Sequence, residues 1–186
     1  MIDEILSDLS SSIGKSQEAF KRELSKLRTG RAHAGMLDSI RVDYYGTATP
    51  LNQLATINVP EPRLLTVRPW DKGAVKSVDK ALRESDLGIN PLLDGDVIRI
   101  PIPQLTEERR KDLVKLVKRM GEECKVAVRK HRHDAMDLLT SLEDDGDASE
   151  DDVSRARKRV EEIVSDAVRK VDDIQQAKEK DIFEIS

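Results

Sequence analysis

Lys111, Lys118, Lys125 and Arg132 recur every seven residues in a segment whose remaining pattern is that of a long amphipathic helix. At about 100° per residue, positions seven apart return to nearly the same side of a helix, so the four cations line up beside an apolar seam, and Arg129 joins them. Such a row makes no bonds. It binds anions, and because the whole chain is acidic, with a formal net charge of −4, the row suits one shaped polyanion better than indiscriminate attraction. A merely solubilising face is the plain alternative. The acids weigh against it. Only Glu122 lies near the row, whereas Asp134, Asp137, Glu143, Asp144, Asp145, Asp147, Glu150, Asp151 and Asp152 have no Lys or Arg among them, so charge is segregated along the chain.

Sharper chemistries find no support in the spacing. His131 and His133 lie two apart on a helix and diverge, His33 is distant, and the one cysteine, Cys124, falls in an apolar seam as a structural thiol. The acidic run from Glu143 to Asp152 lacks the order of a calcium loop, and no glycine-rich phosphate cradle is present. The expectation is a non-enzymatic protein with no metal and no cofactor. Aromatics make up 3% of the residues, which argues against the stacking platforms of single-strand binders. Residues Met1 to Glu4 carry no apolar signal core and no long hydrophobic span occurs, so a soluble cytoplasmic protein without membrane contact is expected.

The elements that must position the cations follow from periodicity. Ile2, Leu6, Leu9, Ile13, Phe20, Leu24 and Leu27 predict a first helix of about seven turns, with Ser16 filling a gap in its seam and an end near Thr29-Gly30. From Arg31 to Gln104 the period changes. Ile40 to Tyr45, Ala55 to Val59, Leu64 to Val67 and Val97 to Ile102 read as strands, and Ala74, Val78, Ala81 and Leu82 as one short helix, giving a small α+β module. Tyr44 and Tyr45 alternate faces on a strand, so one packs inward and the other is exposed. Thr106, with Glu107 and Glu108 behind it, starts a second long helix with the seam Leu113, Val117, Met120, Cys124, Ala127, His131, Ala135, Leu138 and Leu142. After a turn at Gly146, Ser149 to Asp152 form a capping box for a third, with Val153, Ala156, Val160, Ile163, Ala167, Val171 and Ile174.

Three helices with one apolar stripe each must share a core, so the fold expected is α+β: an elongated three-helix bundle, residues 1–29 and 105–186, with a small β/α/β domain, residues 30–104, inserted into it. Two side-by-side links, Thr29-Gly30-Arg31 and Pro103-Gln104-Leu105, form a two-strand hinge in an L-shaped molecule.

Arg28-Thr29-Gly30-Arg31-Ala32, Asp43-Tyr44-Tyr45-Gly46, Thr49-Pro50-Leu51-Asn52-Gln53-Leu54-Ala55, Ser85-Asp86-Leu87-Gly88-Ile89-Asn90-Pro91, Leu105-Thr106-Glu107-Glu108-Arg109-Arg110-Lys111 and Val126-Ala127-Val128-Arg129 closely resemble the bacterial ribosome recycling factors, in order and over essentially the whole chain. The resemblance implies a monomer that works with elongation factor G and its GTP hydrolysis to split post-termination ribosomes and free them from messenger RNA. It implies that the bundle contacts large-subunit ribosomal RNA while the inserted domain swings. Arg132, Arg129, Arg110, Arg28 and Arg31 match its basic positions, and Lys111, Lys118 and Lys125 extend the patch by periodicity alone. Where the family has Asn, an aliphatic residue and two arginines after Arg129, this chain has Lys130, His131, Arg132 and His133. His131 falls on the seam, as a neutral imidazole hydrogen-bonded at the bundle edge. A structural adaptor that pairs helices is the competing expectation, and salt separates the two, since phosphate contacts weaken as salt rises and apolar pairing does not.

Overall fold

One apolar stripe per helix leaves no helix stable alone in water, and the packing that results is visible in the computed structural model, which describes residues 1–184. It resolves into two compact units, Met1–Leu27 with Glu107–Glu184, and Arg28–Thr106.

The first unit is a three-helix bundle of α1 (Ile2–Ser25), α3 (Glu107–Asp144) and α4 (Glu150–Glu184), each in contact with the other two; α2 belongs to the other unit. Helix α1 carries Asp3 and Glu4 in its first turn, where carboxylates offset the dipole, and buries Leu9, Ile13, Phe20 and Leu24. Ser16, the gap in that stripe, is matched by a polar partner: its hydroxyl hydrogen-bonds to His131 Nε2 at 3.0 Å, and its carbonyl accepts the Cys124 thiol at 3.7 Å. At the α3–α4 turn Gly146 takes φ 73°, and the Ser149 hydroxyl accepts the Asp152 N–H at 3.1 Å as an N-cap, while the Asp152 carboxylate pairs with Arg155.

The seams differ in register from the sequence reading. Helix α3 buries Val128 and Leu139, not Ala127 and Leu138, and α4 buries Val164 more fully than Ile163. Both alternatives satisfy a three-and-four spacing. The choice between them is made by the packing of the helices on one another, while Ala135, Ala167 and Val171 stay buried as expected. Gly121 is where α3 and α4 come close, since an added Cβ would overlap the Gln175 side-chain oxygen.

In the second unit, β1 (Arg41–Tyr44) and β2 (Thr47–Pro50) form a hairpin whose turn residues Tyr45 and Gly46 take φ 48° and 85°. Both central residues at positive φ fit the right-handed twist of a two-residue hairpin. Strands β3 (Ala55–Glu61), β4 (Leu64–Pro69), β5 (Leu92–Asp94) and β6 (Val97–Pro101) form an antiparallel sheet in the order β3-β4-β6-β5. Leu65, Val67, Ile98 and Ile100 on its inner face share one core with Val78 and Leu82 of α2 (Val75–Arg83). Strands β2 and β5 lie outside the sequence-predicted set. Each is three or four residues long and gains its extended form from pairing, Thr47 to Pro50 on β1 and Leu92 to Asp94 on β6.

Tyr44 packs against that core and Tyr45 is exposed, and both hydroxyls donate to Asp71 Oδ2, at 3.0 and 3.2 Å. The Gly73 N–H donates to the other oxygen at 2.8 Å; it and the Tyr44 hydroxyl hold the Asp71 carboxyl below its usual range. At the chain crossing of this unit Gly30, at φ 81°, lies under Leu105, whose Cγ would be 3.1 Å from an added Cβ.

The register of α3 is directly testable. Leu139 is 0% and Leu138 53% exposed. Leu139→Ala is expected to lower unfolding free energy by about 2–4 kcal/mol and Leu138→Ala by less than about 0.5 kcal/mol, read from urea denaturation. Equal losses would mean the seam is misplaced.

Candidate polyanion-binding face

Each member of the heptad row beyond Lys111 follows directly on a seam position, Lys118 on Val117, Lys125 on Cys124 and Arg132 on His131. A seven-residue repeat falls short of two full turns by about 20° each time, so the row does not stay on one side of the straight helix but slides toward the core. Lys111 is 68% exposed, Lys125 14% and Arg132 43%, so exposure is lower in the second half of the row without falling step by step.

The sliding brings two of the four cations up against α4, and α4 meets them with acids. Lys125 Nζ pairs with Asp172 Oδ1 at 2.5 Å and with Glu122 Oε1 at 3.5 Å. Arg132 places Nε at 2.9 Å and Nη2 at 2.5 Å from the same Glu161 oxygen. The hydrogen bond to Asp172 leads in holding the Lys125 ammonium above its ordinary value, and the bond to Glu161 does so for Arg132. The expectation that Glu122 is the row's only nearby acid is thus corrected. Lys111 also has Glu107 at 3.6 Å, one turn back on its own helix. The signal that could have located the cross-helix acids is positional: Glu161 follows the buried Val160 and Asp172 the buried Val171, as Arg132 and Lys125 follow their own seam residues.

What remains for an external anion is a different subset. Lys118 and Arg129 are exposed, have no carboxylate partner among the described residues, and stand eleven residues apart, about three turns, hence on one side of α3. Arg132 spends its Nε and one Nη2 bond on Glu161 and keeps Nη1 for a further acceptor. Arg110 is half-buried at the start of α3, and Arg28 and Arg31 are exposed in the second unit. His133 places Nε2 3.3 Å from Asp137 Oδ2. Cys124 is buried, which pushes its thiol up and leaves it unreactive. Among the described residues no set of three or more His, Cys, Asp or Glu could hold a metal ion, and no helix is long and apolar enough to cross a membrane.

Fold and charge pattern together define a class: a two-unit protein whose three-helix bundle carries unpaired cations on one side of its second helix, α3. Residues 20–183 match the ribosome recycling factor family. The chain is 55% identical to the ribosome-recycling factor of Sorangium cellulosum and 51% identical to that of Brevibacillus brevis, in each case across the full length of both. Its fold is similar to a solution structure of a ribosome recycling factor, with a TM-score of 0.73 and 37% identity over 99% of this chain and 98% of that one. It is also similar, with a TM-score of 0.62 and 43% identity over 98% of both, to the Thermus thermophilus factor described with Escherichia coli elongation factor G on the post-termination complex. The chain belongs to the ribosome recycling factor family.

Because Arg132 and Glu161 are 43% and 52% exposed, their pair adds little to folding. A double-mutant cycle with Arg132→Ala and Glu161→Ala is expected to give a coupling of about 0.2–1 kcal/mol by urea denaturation. A coupling above about 2 kcal/mol would make the pair a structural strut and not a tuned contact.

Proposed function

We propose that this chain recycles ribosomes: with elongation factor G, and GTP hydrolysed by that partner, it splits the post-termination ribosome into subunits and releases it from messenger RNA. It acts in the cytoplasm as a monomer and catalyses no covalent step. The bundle docks on large-subunit ribosomal RNA through Lys118, Arg129 and Arg132, with Lys111, Lys125, Arg110, Arg28 and Arg31 adding to the field. The observation that carries this reading is the pair of unpartnered cations, Lys118 and Arg129, on one side of α3 in a chain matched end to end by ribosome recycling factors. Lys118 acts as a point charge, whereas the guanidinium of Arg129 offers a planar fork suited to phosphate oxygens.

Light scattering of post-termination ribosomes, with elongation factor G and GTP, tests it. Wild type should split them, and Arg129→Ala and Arg132→Ala should each slow splitting by about tenfold at subsaturating protein, the equivalent of one charge-assisted hydrogen bond. Binding by these variants should also depend less steeply on salt. Folded wild-type protein that fails to split would overturn the recycling reading, whereas undiminished variants would overturn the contact residues.

The links Thr29-Gly30-Arg31 and Pro103-Gln104-Leu105 serve in this reading as a hinge. Gly30 holds φ 81° against Leu105, which proline cannot adopt. Gly30→Pro should reduce splitting well beyond its effect on ribosome binding, measured by co-sedimentation. Parallel loss of both would remove the hinge role.

A further inference from the structure

The outer face of the four-stranded sheet is exposed or half-buried at Thr56, Asn58, Thr66, Arg68 and Arg99, and its residues are not those of a plain solvated surface. Thr56 on β3 lies directly opposite Arg68 on β4, and Thr66 on β4 directly opposite Arg99 on β6, so these four side chains share that face. Trp70 follows two residues after Arg68. It is the only tryptophan in the chain and is 64% exposed, yet it is not loose: its indole N–H donates to the Thr56 hydroxyl at 2.7 Å. That bond places the ring on the same side as Arg68. Thr56, Thr66, Arg68 and Arg99, together with Asn58, line most of a groove of about 490 Å³, the size of a small-ligand site, and Trp70 adjoins it through its bond to Thr56.

The charge of the groove is one-sided. Arg68 has no carboxylate partner among the described residues, and Arg99 has only Asp94, at 3.3 Å and largely exposed. Asp94 is the sole acid lining the groove. Two guanidinium forks, on β4 and β6, stand among threonine hydroxyls and the Asn58 amide, and an indole is fixed on Thr56. Phosphate oxygens would take the forks, ribose hydroxyls the threonines and asparagine, and a base the π-face of the tryptophan. An acidic peptide would use the forks but leave the indole unoccupied.

We propose that this sheet face binds a short stretch of single-stranded RNA, with one base stacked on Trp70 and its flanking phosphates held by Arg68 and Arg99. The site belongs wholly to the α+β unit and is separate from the cationic face of α3. A composition of 3% aromatic residues hides it, since one anchored ring among arginines suffices where a larger platform uses two or three.

Because the protein has one tryptophan, its selectively excited tryptophan fluorescence reports on this face alone. Full-length protein is titrated with hexauridylate and, separately, with hexa-aspartate. The expected result is saturable quenching by the RNA that weakens with salt, with a log–log slope near −1.4 for two phosphates on a single strand. Arg68→Ala and Arg99→Ala, checked for unchanged unfolding midpoints, should each weaken it about tenfold, and Arg129→Ala on α3 should leave it unchanged. The last arm separates this site from the bundle, so failure of the ribosome-docking residues would not touch it. No quenching at millimolar RNA, equal quenching by hexa-aspartate, or quenching indifferent to Arg68 and Arg99 would each overturn the proposal.

Discussion

The antiparallel pairing of α3 with α4 is the constraint on which the charge pattern depends. Val117, Cys124, Val128, Ala135 and Leu139 on one helix, and Val153, Ala156, Val160, Val164, Ala167 and Val171 on the other, are all buried, and no shift of a residue or two keeps them so. Once that register is set, Glu161 and Asp172 are carried to Arg132 and Lys125, and Arg157 to Glu143, 3.3 Å away. Hydrophobic packing therefore decides which cations on α3 are neutralised and which stay available. The exposed ion pairs themselves contribute little to folding.

The same logic separates what the sequence discloses from what it does not. Helix α4 could be placed from Ser149 to Asp152 and its seam, because capping chemistry and a 3.6-residue period are local properties of the chain. The hydrogen bond of Ser16 to His131 was half legible: His131 stood out as a polar residue on an apolar seam and Ser16 as a gap in another, and only packing joined them. Leu139 in place of Leu138, and strands β2 and β5, depend on a neighbour that no window of sequence contains. The cations of α3 were readable as a row, but their partners lie 29 residues away in one case and 47 in the other, as Arg132 to Glu161 and Lys125 to Asp172.

Trp70 illustrates the other direction of error. Composition counts aromatic rings without showing where they stand, and so does not single out Trp70. What distinguishes Trp70 is its environment. The register of β3 against β4 puts Thr56 beneath the indole, and the antiparallel order β3-β4-β6 puts two arginines on the same side. None of these relations is local in sequence.

The distribution of acids along the bundle has a mechanical consequence. Ile2, Ile5 and Leu6 of α1 pack against the same core cluster as Ala148 and Val153, which groups Asp3, Glu4 and Asp8 with the acidic run from Glu143 to Asp152. One end of the rod is thus strongly negative, while the unpaired Lys118 and Arg129 lie further along it. In the field of a large polyanion a body charged in this way experiences a torque as well as a force. Such a torque turns an acidic end outward and a cationic flank inward, so that orientation is selected during approach.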